Sequence, residues 1–137
     1  DEQPGEVDLF PNVLPILDAL CKTHRLALVS NGLGPQQRSK IGPLGLEPYF
    51  TVIAISGELG LRKPDPEIFR HVLTRLNVTA NTAVHVGDDL YADVGGAIAS
   101  GINAIWINRD GEPPEEGPSP NMVISTMSEL GSIFGLE

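Results

Sequence analysis

Two acidic residues follow an apolar segment in the second half of the chain, and their chemistry suggests a metal site. Residues 83–86 have the pattern of a buried β-strand that stops at Gly87, and Asp88 and Asp93 then follow five positions apart. Carboxylates just past the carboxyl end of a parallel strand lie where open α/β sheets bind their ligands. They are also the hard oxygen donors that suit Mg²⁺. The spacing therefore predicts metal-assisted chemistry on an anionic substrate.

Polar residues also follow two other predicted strands. Ser30 and Asn31 lie at the end of the strand predicted over 26–30, and Lys63 lies in the loop after the strand predicted over 50–55. Because parallel strands present their carboxyl ends at one edge of the sheet, we expect these groups to converge with the two aspartates.

Each of these residues also has a purely structural interpretation. The segment at Ser30 can be a turn followed by a helix cap, Lys63 can be a solvated loop lysine, and Asp88 can cap its own helix. Their occurrence in this order on successive strands favours a shared chemical role.

The elements that must position these residues alternate along the chain. Apolar residues at helical spacing, with Pro and Gly at the ends, predict helices over 11–23, from 34 to near 42, from 64–66 to 76, over 89–100 and over 126–134. Short runs rich in β-branched residues predict strands over 26–30, 50–55, 82–86, 103–108 and 122–125, with loops over 56–63 and 109–121. This alternation predicts an α/β fold, a parallel sheet with helices on both faces, in one domain over 1–137.

Composition limits the partners that we expect. The 137 residues carry 18 acidic and nine basic side chains, a net charge of −9, which argues against a nucleic-acid polymer or a membrane as partner. A small phosphate remains compatible, because a bound divalent cation would invert the charge of the site. Cys21 is the single cysteine, which excludes an internal disulfide and favours a cytoplasmic location. The acidic start of the chain resembles neither a signal nor a transit peptide.

The three polar segments together resemble motifs of the haloacid dehalogenase (HAD) superfamily. Residues 28–32 (LVSNG) resemble its second motif, residues 62–69 (RKPDPEIF) its third, and residues 86–93 (VGDDLYAD) its fourth. In detail the chain is similar to the branch with phosphoglycolate phosphatases, nucleotidases, acylneuraminate-phosphate phosphatases and 2-haloacid dehalogenases. The Gly-Asp form of the fourth motif favours the Mg²⁺ phosphatases over the metal-free dehalogenases.

The resemblance implies a role for each candidate residue. The Ser30 hydroxyl and the N–H of Asn31 would bind phosphoryl oxygens, and Lys63 would offset the charge of nucleophile and phosphate. Asp88 would be a ligand of Mg²⁺, and Asp93 either a ligand through water or the partner that orients Lys63. The substrate would be a small phosphorylated metabolite or a nucleotide.

The chain departs from the family pattern before Ser30. The first motif of the family, an Asp-x-Asp after an apolar strand, supplies the nucleophile that becomes aspartyl-phosphate. No such pattern precedes Ser30, and Asp8 has no strand leading into it. The helical cap that this branch inserts between its first two motifs is also missing. We therefore expect a partial HAD-like, three-layer Rossmann-like core from the second motif onward, inactive by itself.

The missing strand also has a structural consequence. In the family it lies between the strands that end here at Ser30 and Gly87, so its loss would leave unpaired backbone groups on two buried strands. We expect a complementing N-terminal segment, a strand-swapped dimer or a re-paired sheet to fill this position. Two other functions remain open: a non-catalytic HAD-like binding protein, and a hydrolase like the 2-haloacid dehalogenases.

The remaining polar and small residues carry weaker signals. His24, His71 and His85 show no spacing that would bring them together, so we interpret them as surface or core histidines. Tyr91 can face the pocket or lie on the helix surface. Gly95–Gly96 lowers the stability of an isolated helix, which predicts close packing of that helix against the sheet.

Overall fold

The computed structural model describes residues 13–43, 45–109, 111 and 116–135. The chain divides into two compact units, unit 1 (Asp1–Gly60 with Met127–Glu137) and unit 2 (Leu61–Thr126). The expectation of one domain over 1–137 stays a prediction. The predicted start of the first helix at residue 11 and residue Asp8 both lie outside the described residues.

Helices and parallel strands alternate along the described chain. The helices are α1 (Val13–Leu20), α2 (Gly34–Ile41), α3 (Ser56–Leu59), α4 (Pro66–Leu76), α5 (Gly96–Ala99) and α6 (Leu130–Ile133). The strands are β1 (Ala27–Ser30), β2 (Val52–Ile55), β3 (Val84–Gly87), β4 (Asn103–Ile107) and β5 (Met122–Ile124). Short 3₁₀ turns cover Glu47–Tyr49, Ala80–Thr82 and Met127–Glu129. These parallel sheets flanked by helices confirm the predicted α/β fold class.

Unit 1 contains a two-stranded parallel sheet. β1 pairs with β2 from Ala27 opposite Val52 to Ser30 opposite Ile55, so both strands end at the same level. One cluster of buried apolar side chains in the unit consists of Leu17, Ile41, Leu46 and Ile55, with Leu28 of β1 packed against it. Apolar side chains from α1, α2 and β2 therefore support the strand that ends at Ser30.

The loop predicted over 56–63 contains a helix, α3, which is a difference from the sequence prediction. The Ser56 hydroxyl accepts a hydrogen bond from the Gly32 N–H at 2.9 Å, and the Gly57 N–H donates to the Gly32 carbonyl at 2.8 Å. Gly60 ends the helix in the left-handed region, with φ of 74°. A four-residue helix is too short to show a helical period, and its hydrogen-bond partner is the loop after β1, which is distant in sequence. The sequence therefore gives no signal for α3.

Unit 2 contains a three-stranded parallel sheet in the order β3-β4-β5. α4 buries Ile68, Phe69 and Val72, as its apolar spacing predicts. Its N-terminus is capped by Asp65, whose carboxylate accepts from the Glu67 N–H at 2.9 Å. α4 and the strands therefore form in unit 2 as the sequence predicts.

β3 is less buried than its apolar sequence predicts. Within the described residues of unit 2 it pairs with β4 on one side alone, and Val84 is 43% exposed. The prediction of a fully buried strand is wrong for Val84, because β3 is the edge strand of this sheet.

The helix predicted over 89–100 is divided. The Asp89 carboxylate caps it by accepting from the N–H groups of Tyr91 and Ala92, a π-helical turn covers Leu90–Gly95, and α5 follows. A Cβ at Gly96 would lie 2.5 Å from Phe69 Cε2 and 3.0 Å from Pro64 Cα. The close packing predicted for the glycines therefore exists at Gly96, where the nearest atoms belong to Phe69 and Pro64; the π-helical turn also contacts β3 and β4, and α5 contacts β4.

No helix in the described ranges is both long and apolar enough to cross a membrane.

Candidate functional site

A buried carboxylate, that of Asp93, is the centre of the candidate site in unit 2. Its Oδ1 accepts hydrogen bonds from Lys63 Nζ at 2.6 Å and from His85 Nε2 at 3.0 Å. Its Oδ2 accepts from the backbone N–H of Asp89 at 3.1 Å. Asp93 is 4% exposed and Lys63 7% exposed. Three donors thus hold one carboxylate almost out of contact with solvent.

Local sequence explains how Asp93 reaches this position. The Asp89 cap starts the turn that carries Asp93 back toward the end of β3. A Cβ at Gly87 would lie 2.2 Å from Asp93 Cγ and 2.4 Å from its Oδ2, so any other residue at position 87 would overlap the carboxylate. His85 lies two positions before Gly87 on β3, and alternating side chains of a strand point to opposite faces, so these two positions share one face.

Lys63 comes to the same carboxylate from a different segment. It precedes α4, separated in sequence from Asp93 by 30 positions, and the Lys63–Pro64 peptide bond is cis. The ring of Phe69, on α4, packs edge-on against the imidazole of His85 with the ring centroids 5.1 Å apart. The Phe69 ring therefore covers one side of the His85 imidazole, which is hydrogen-bonded to Asp93.

The charges around Asp93 lower its pKa well below the ordinary value. Burial by itself would raise the pKa of this carboxyl group, because it disfavours the charged form. The hydrogen bond from His85 and the positive charge of Lys63 together outweigh burial. Asp93 is therefore ionised throughout the neutral and mildly acidic range, and it forms a buried ion pair with Lys63.

Asp88 lies directly after β3 and is half-buried. Its backbone carbonyl accepts a hydrogen bond from Trp106 Nε1 at 3.0 Å, which ties the end of β3 to β4. Within the described residues, no three His, Cys, Asp or Glu side chains are grouped so that they could hold a metal ion. Mg²⁺ in phosphate-processing sites takes one or two carboxylates and completes its coordination with water and phosphate oxygens. Asp88 suits the role of one such carboxylate.

The two roles predicted for Asp93 are not equally compatible with this geometry. Both oxygens of its carboxylate already accept hydrogen bonds from protein donors. These contacts, and the 4% exposure of Asp93, favour the role of orienting Lys63 over the role of a ligand through water.

Ser30 and Asn31 lie in unit 1, after β1. Ser30 is 3% exposed, and its hydroxyl donates to Gln37 Oε1 on α2 at 3.0 Å. The amide of Gln37 also lies against Gly32, where a Cβ would be 2.6 Å from Gln37 Nε2. Unit 1 thus holds the Ser30 hydroxyl in a defined direction. The convergence of Ser30 with Lys63 stays a prediction.

The structure adds contacts that sequence reasoning did not find. His85, interpreted as a surface or core histidine, hydrogen-bonds to Asp93, and Gln37 hydrogen-bonds to Ser30. The strand alternation of His85 with Gly87 is a signal that could have indicated the first contact. Tyr91 is 62% exposed, which favours the helix-surface alternative.

The sequence matches a known family over most of its length. The family described as "Haloacid dehalogenase-like hydrolase" matches residues 1–107. The chain therefore belongs to the haloacid dehalogenase-like hydrolases, as the three motifs predict.

Curated relatives include several phosphatases. The phosphoserine phosphatase of Thermus thermophilus is 38% identical over 123 residues, which cover 89% of this chain and 49% of that protein. The N-acylneuraminate-9-phosphatase of Mus musculus is 37% identical over 128 residues, which cover 92% of this chain and 52% of that protein. The chain spans about half the length of these relatives.

Solved structures of the same fold include both a phosphatase and a dehalogenase. A HAD phosphatase from Thermococcus onnurineus superposes with a TM-score of 0.84 at 37% identity, over 93% of this chain and 59% of that one. A 2-haloacid dehalogenase from Pseudomonas syringae gives 0.82 at 36% identity, over 92% and 53%. The HAD hydrolase YfnB from Bacillus subtilis, bound to magnesium, gives 0.84 at 29% identity, over 89% and 54%.

Proposed function

We propose that this chain is the core portion of a Mg²⁺-dependent phosphomonoester hydrolase that acts through an aspartyl-phosphate. The observation that carries the proposal is the buried Lys63–Asp93 ion pair beside the end of β3. An ammonium group fixed in this way is a preorganised positive charge, which stabilises the negative charge of a transferring phosphoryl group. The phosphatases among the relatives support this reading over other hydrolytic reactions.

Each candidate residue then has a defined task. Lys63 neutralises charge on the phosphoryl group and on the attacking carboxylate, and Asp93 holds Lys63 in position. The hydroxyl of Ser30, which turns its single donor from Gln37 Oε1 to the substrate, and the N–H of Asn31 bind phosphoryl oxygens. Asp88 contributes one carboxylate to Mg²⁺, which when bound offsets negative charge on the phosphoryl oxygens.

The nucleophilic aspartate of the proposed reaction is supplied from outside these 137 residues. No Asp-x-Asp pattern precedes Ser30, so we expect the chain by itself to have no measurable turnover. The substrate is a small phosphorylated metabolite or a nucleotide in the cytoplasm. The net charge of −9 disfavours a nucleic-acid polymer or a membrane as partner.

A further strand is the proposed structural partner. Among the described residues of each unit, β1 pairs with β2 alone and β3 with β4 alone, so each has one edge to which a strand can add. A complementing N-terminal segment or a strand exchanged with a second copy would fit these edges. Sedimentation and amide exchange distinguish the two. A dimer with slowly exchanging amides along β1 and β3 supports strand exchange, and a monomer with rapidly exchanging amides there supports edges that accept a complementing segment. A monomer with slow exchange along both strands would contradict both.

Phosphate binding tests the proposal without requiring turnover. Binding of inorganic phosphate to the 137-residue chain, measured by calorimetry in excess MgCl₂, should need both the cation and Lys63. Ser30→Ala and Lys63→Met should each weaken binding by about tenfold, the scale of a lost hydrogen bond to a charged group. Lys22→Met, at an exposed surface pair, is the matched control. Equal affinity in all variants would contradict the assigned site.

Two other outcomes would change the assignment. Release of chloride from a 2-chloro acid without added metal would favour the dehalogenase alternative, which the similarity to the Pseudomonas syringae enzyme supports. Robust Mg²⁺-dependent hydrolysis of p-nitrophenyl phosphate by the pure chain would contradict a nucleophile supplied from outside. Phosphate binding that persists without turnover after an upstream Asp-x-Asp segment is added would favour the non-catalytic alternative.

A further inference from the structure

We propose that His85 is a positioning residue for Lys63, which acts by fixing the Asp93 carboxylate from the β3 side. The inference rests on the proposed phosphate site. His85 Nε2 lies 3.0 Å from Asp93 Oδ1, the oxygen that also accepts from Lys63 Nζ at 2.6 Å. The side chain of His85 is 16% exposed, so this contact is largely shielded from solvent.

The direction of this hydrogen bond follows from the state of Asp93. An ionised carboxylate only accepts hydrogen bonds, so Nε2 of His85 must carry the hydrogen. Oδ1 then has two side-chain donors, and Oδ2 has the N–H of Asp89. Without His85, Oδ1 would depend on the lysine alone, and the Asp89 N–H at Oδ2 would be left to hold the carboxylate as the ammonium group moves.

A fixed carboxylate matters when Lys63 has a second anion to bind. An ammonium group has three donors in different directions, so Lys63 can bind a phosphoryl oxygen while it keeps its bond to Asp93. That arrangement requires Asp93 to stay in place as the lysine is drawn toward phosphate. The His85 and Asp89 donors are bonded to the carboxylate independently of Lys63 and can hold it there.

Substitutions at His85 can separate the effect of its packing against Phe69 from the effect of its Nε2–H donor. One side of the imidazole packs against the ring of Phe69, whereas Nε2 faces Asp93. His85→Leu keeps an apolar side chain against Phe69 and removes the donor. His85→Gln places an amide N–H near the position of Nε2. His85→Asn carries the same amide one methylene shorter, so its donor falls short of Oδ1.

The first readout is the side-chain ammonium signal of Lys63 in ¹⁵N spectra of the chain without phosphate. The sequence has three lysines, and the signal that disappears in Lys63→Met belongs to Lys63. A buried, hydrogen-bonded ammonium group exchanges its protons slowly enough to be seen. We expect the signal in wild type and His85→Gln, and its loss or displacement in His85→Leu and His85→Asn.

The second readout is phosphate affinity in excess MgCl₂. We expect His85→Leu and His85→Asn to bind about tenfold more weakly, as for one lost hydrogen bond to a charged group. His85→Gln should bind within about twofold of wild type, and so should His71→Gln, a matched change on α4. Trp106 fluorescence verifies that each variant is folded, and His85→Asn replaces His85→Leu if the latter does not fold.

The two readouts separate this inference from the proposed function. An unchanged Lys63 signal and unchanged affinity in a folded His85→Leu or His85→Asn would show that His85 only fills space, which overturns the inference. Failure of His85→Gln to restore either readout would also overturn it. If wild type binds no phosphate, the proposed function fails, and the ammonium spectra still decide whether His85 positions Lys63.

Discussion

Removal of the Lys63 ammonium group tests the physical basis of the site most directly. In Lys63→Met the side chain keeps its approximate length but loses its charge, while Asp93 stays buried. Both side chains of the pair are nearly inaccessible, at 7% and 6% exposure. Removal of one partner from a buried ion pair typically costs about 3–5 kcal/mol, because the other charge is left without its counterion.

The contacts that remain place the expected cost at the lower end of this range. Asp93 would keep the hydrogen bonds from His85 and from the Asp89 N–H, so we expect a loss of about 3 kcal/mol. With a urea dependence of about 2 kcal/mol per molar for a domain of this size, the unfolding midpoint should fall by about 1.5 M urea. Such a loss is a large part of the ~5–15 kcal/mol that stabilises a typical domain.

The single tryptophan provides the assay. Trp106 lies on β4 and its indole N–H donates to the Asp88 carbonyl at 3.0 Å, so its fluorescence reports on unit 2 beside the site. Lys22→Met is the matched control. The Lys22–Asp18 pair spans 3.7 Å with side chains that are 72% and 61% exposed, and its loss should change stability by less than about 0.5 kcal/mol.

A second variant separates the ion pair from the packing of the lysine stem. In the Lys63→Met, Asp93→Asn double variant no charge is left buried, so its destabilisation should be smaller than the sum of the two single changes by about 1 kcal/mol or more. Equal urea midpoints for Lys63→Met and Lys22→Met would refute the reasoning, because they would mean that no buried pair contributes to stability. Strict additivity in the double variant would refute it as well.

Two further predictions concern the same carboxylate. Gly87→Ala would place a Cβ 2.2 Å from Asp93 Cγ, so it should destabilise unit 2 by about 1–3 kcal/mol. In Gly95→Ala the added Cβ meets Pro118 Cγ at 3.4 Å and should cost nothing; equal urea midpoints for the two variants would contradict the packing argument. The pKa of Asp93 is lowered in the folded state, so its contribution to stability is complete above its ordinary pKa of 3.8 and is lost as pH falls through the lower folded value. The free energy of unfolding of wild type should therefore fall relative to that of Asp93→Asn below about pH 4. A difference that is constant from pH 7 to pH 3 would contradict this.

The local pattern of apolar and β-branched residues was sufficient to predict most of the helices and strands. The apolar spacing of α4 and the β-branched runs of β2 and β4 depend on neighbours close in sequence, so these elements could be predicted with their bounds shifted by a few residues. α3 could not, because a single turn has too few residues to show a period. The exposure of Val84 could not be predicted either, since whether a strand lies at a sheet edge depends on which strands pair with it.

For the candidate site as well, some features could be predicted from local sequence and others could not. Residue type and position were sufficient to make Ser30, Lys63, Asp88 and Asp93 candidates, because each has a suitable side chain after a predicted strand and within a family motif. The tertiary structure was needed to show that the Asp93 carboxylate accepts a hydrogen bond from Lys63, because such partners depend on distances between segments 30 positions apart. The same holds for His85: its place on β3 is local, but its contact with Asp93 exists because the turn after Gly87 brings the carboxylate back to the strand. The sequence pattern indicates which face of a strand a residue occupies, and the tertiary packing determines which side chains it contacts on that face.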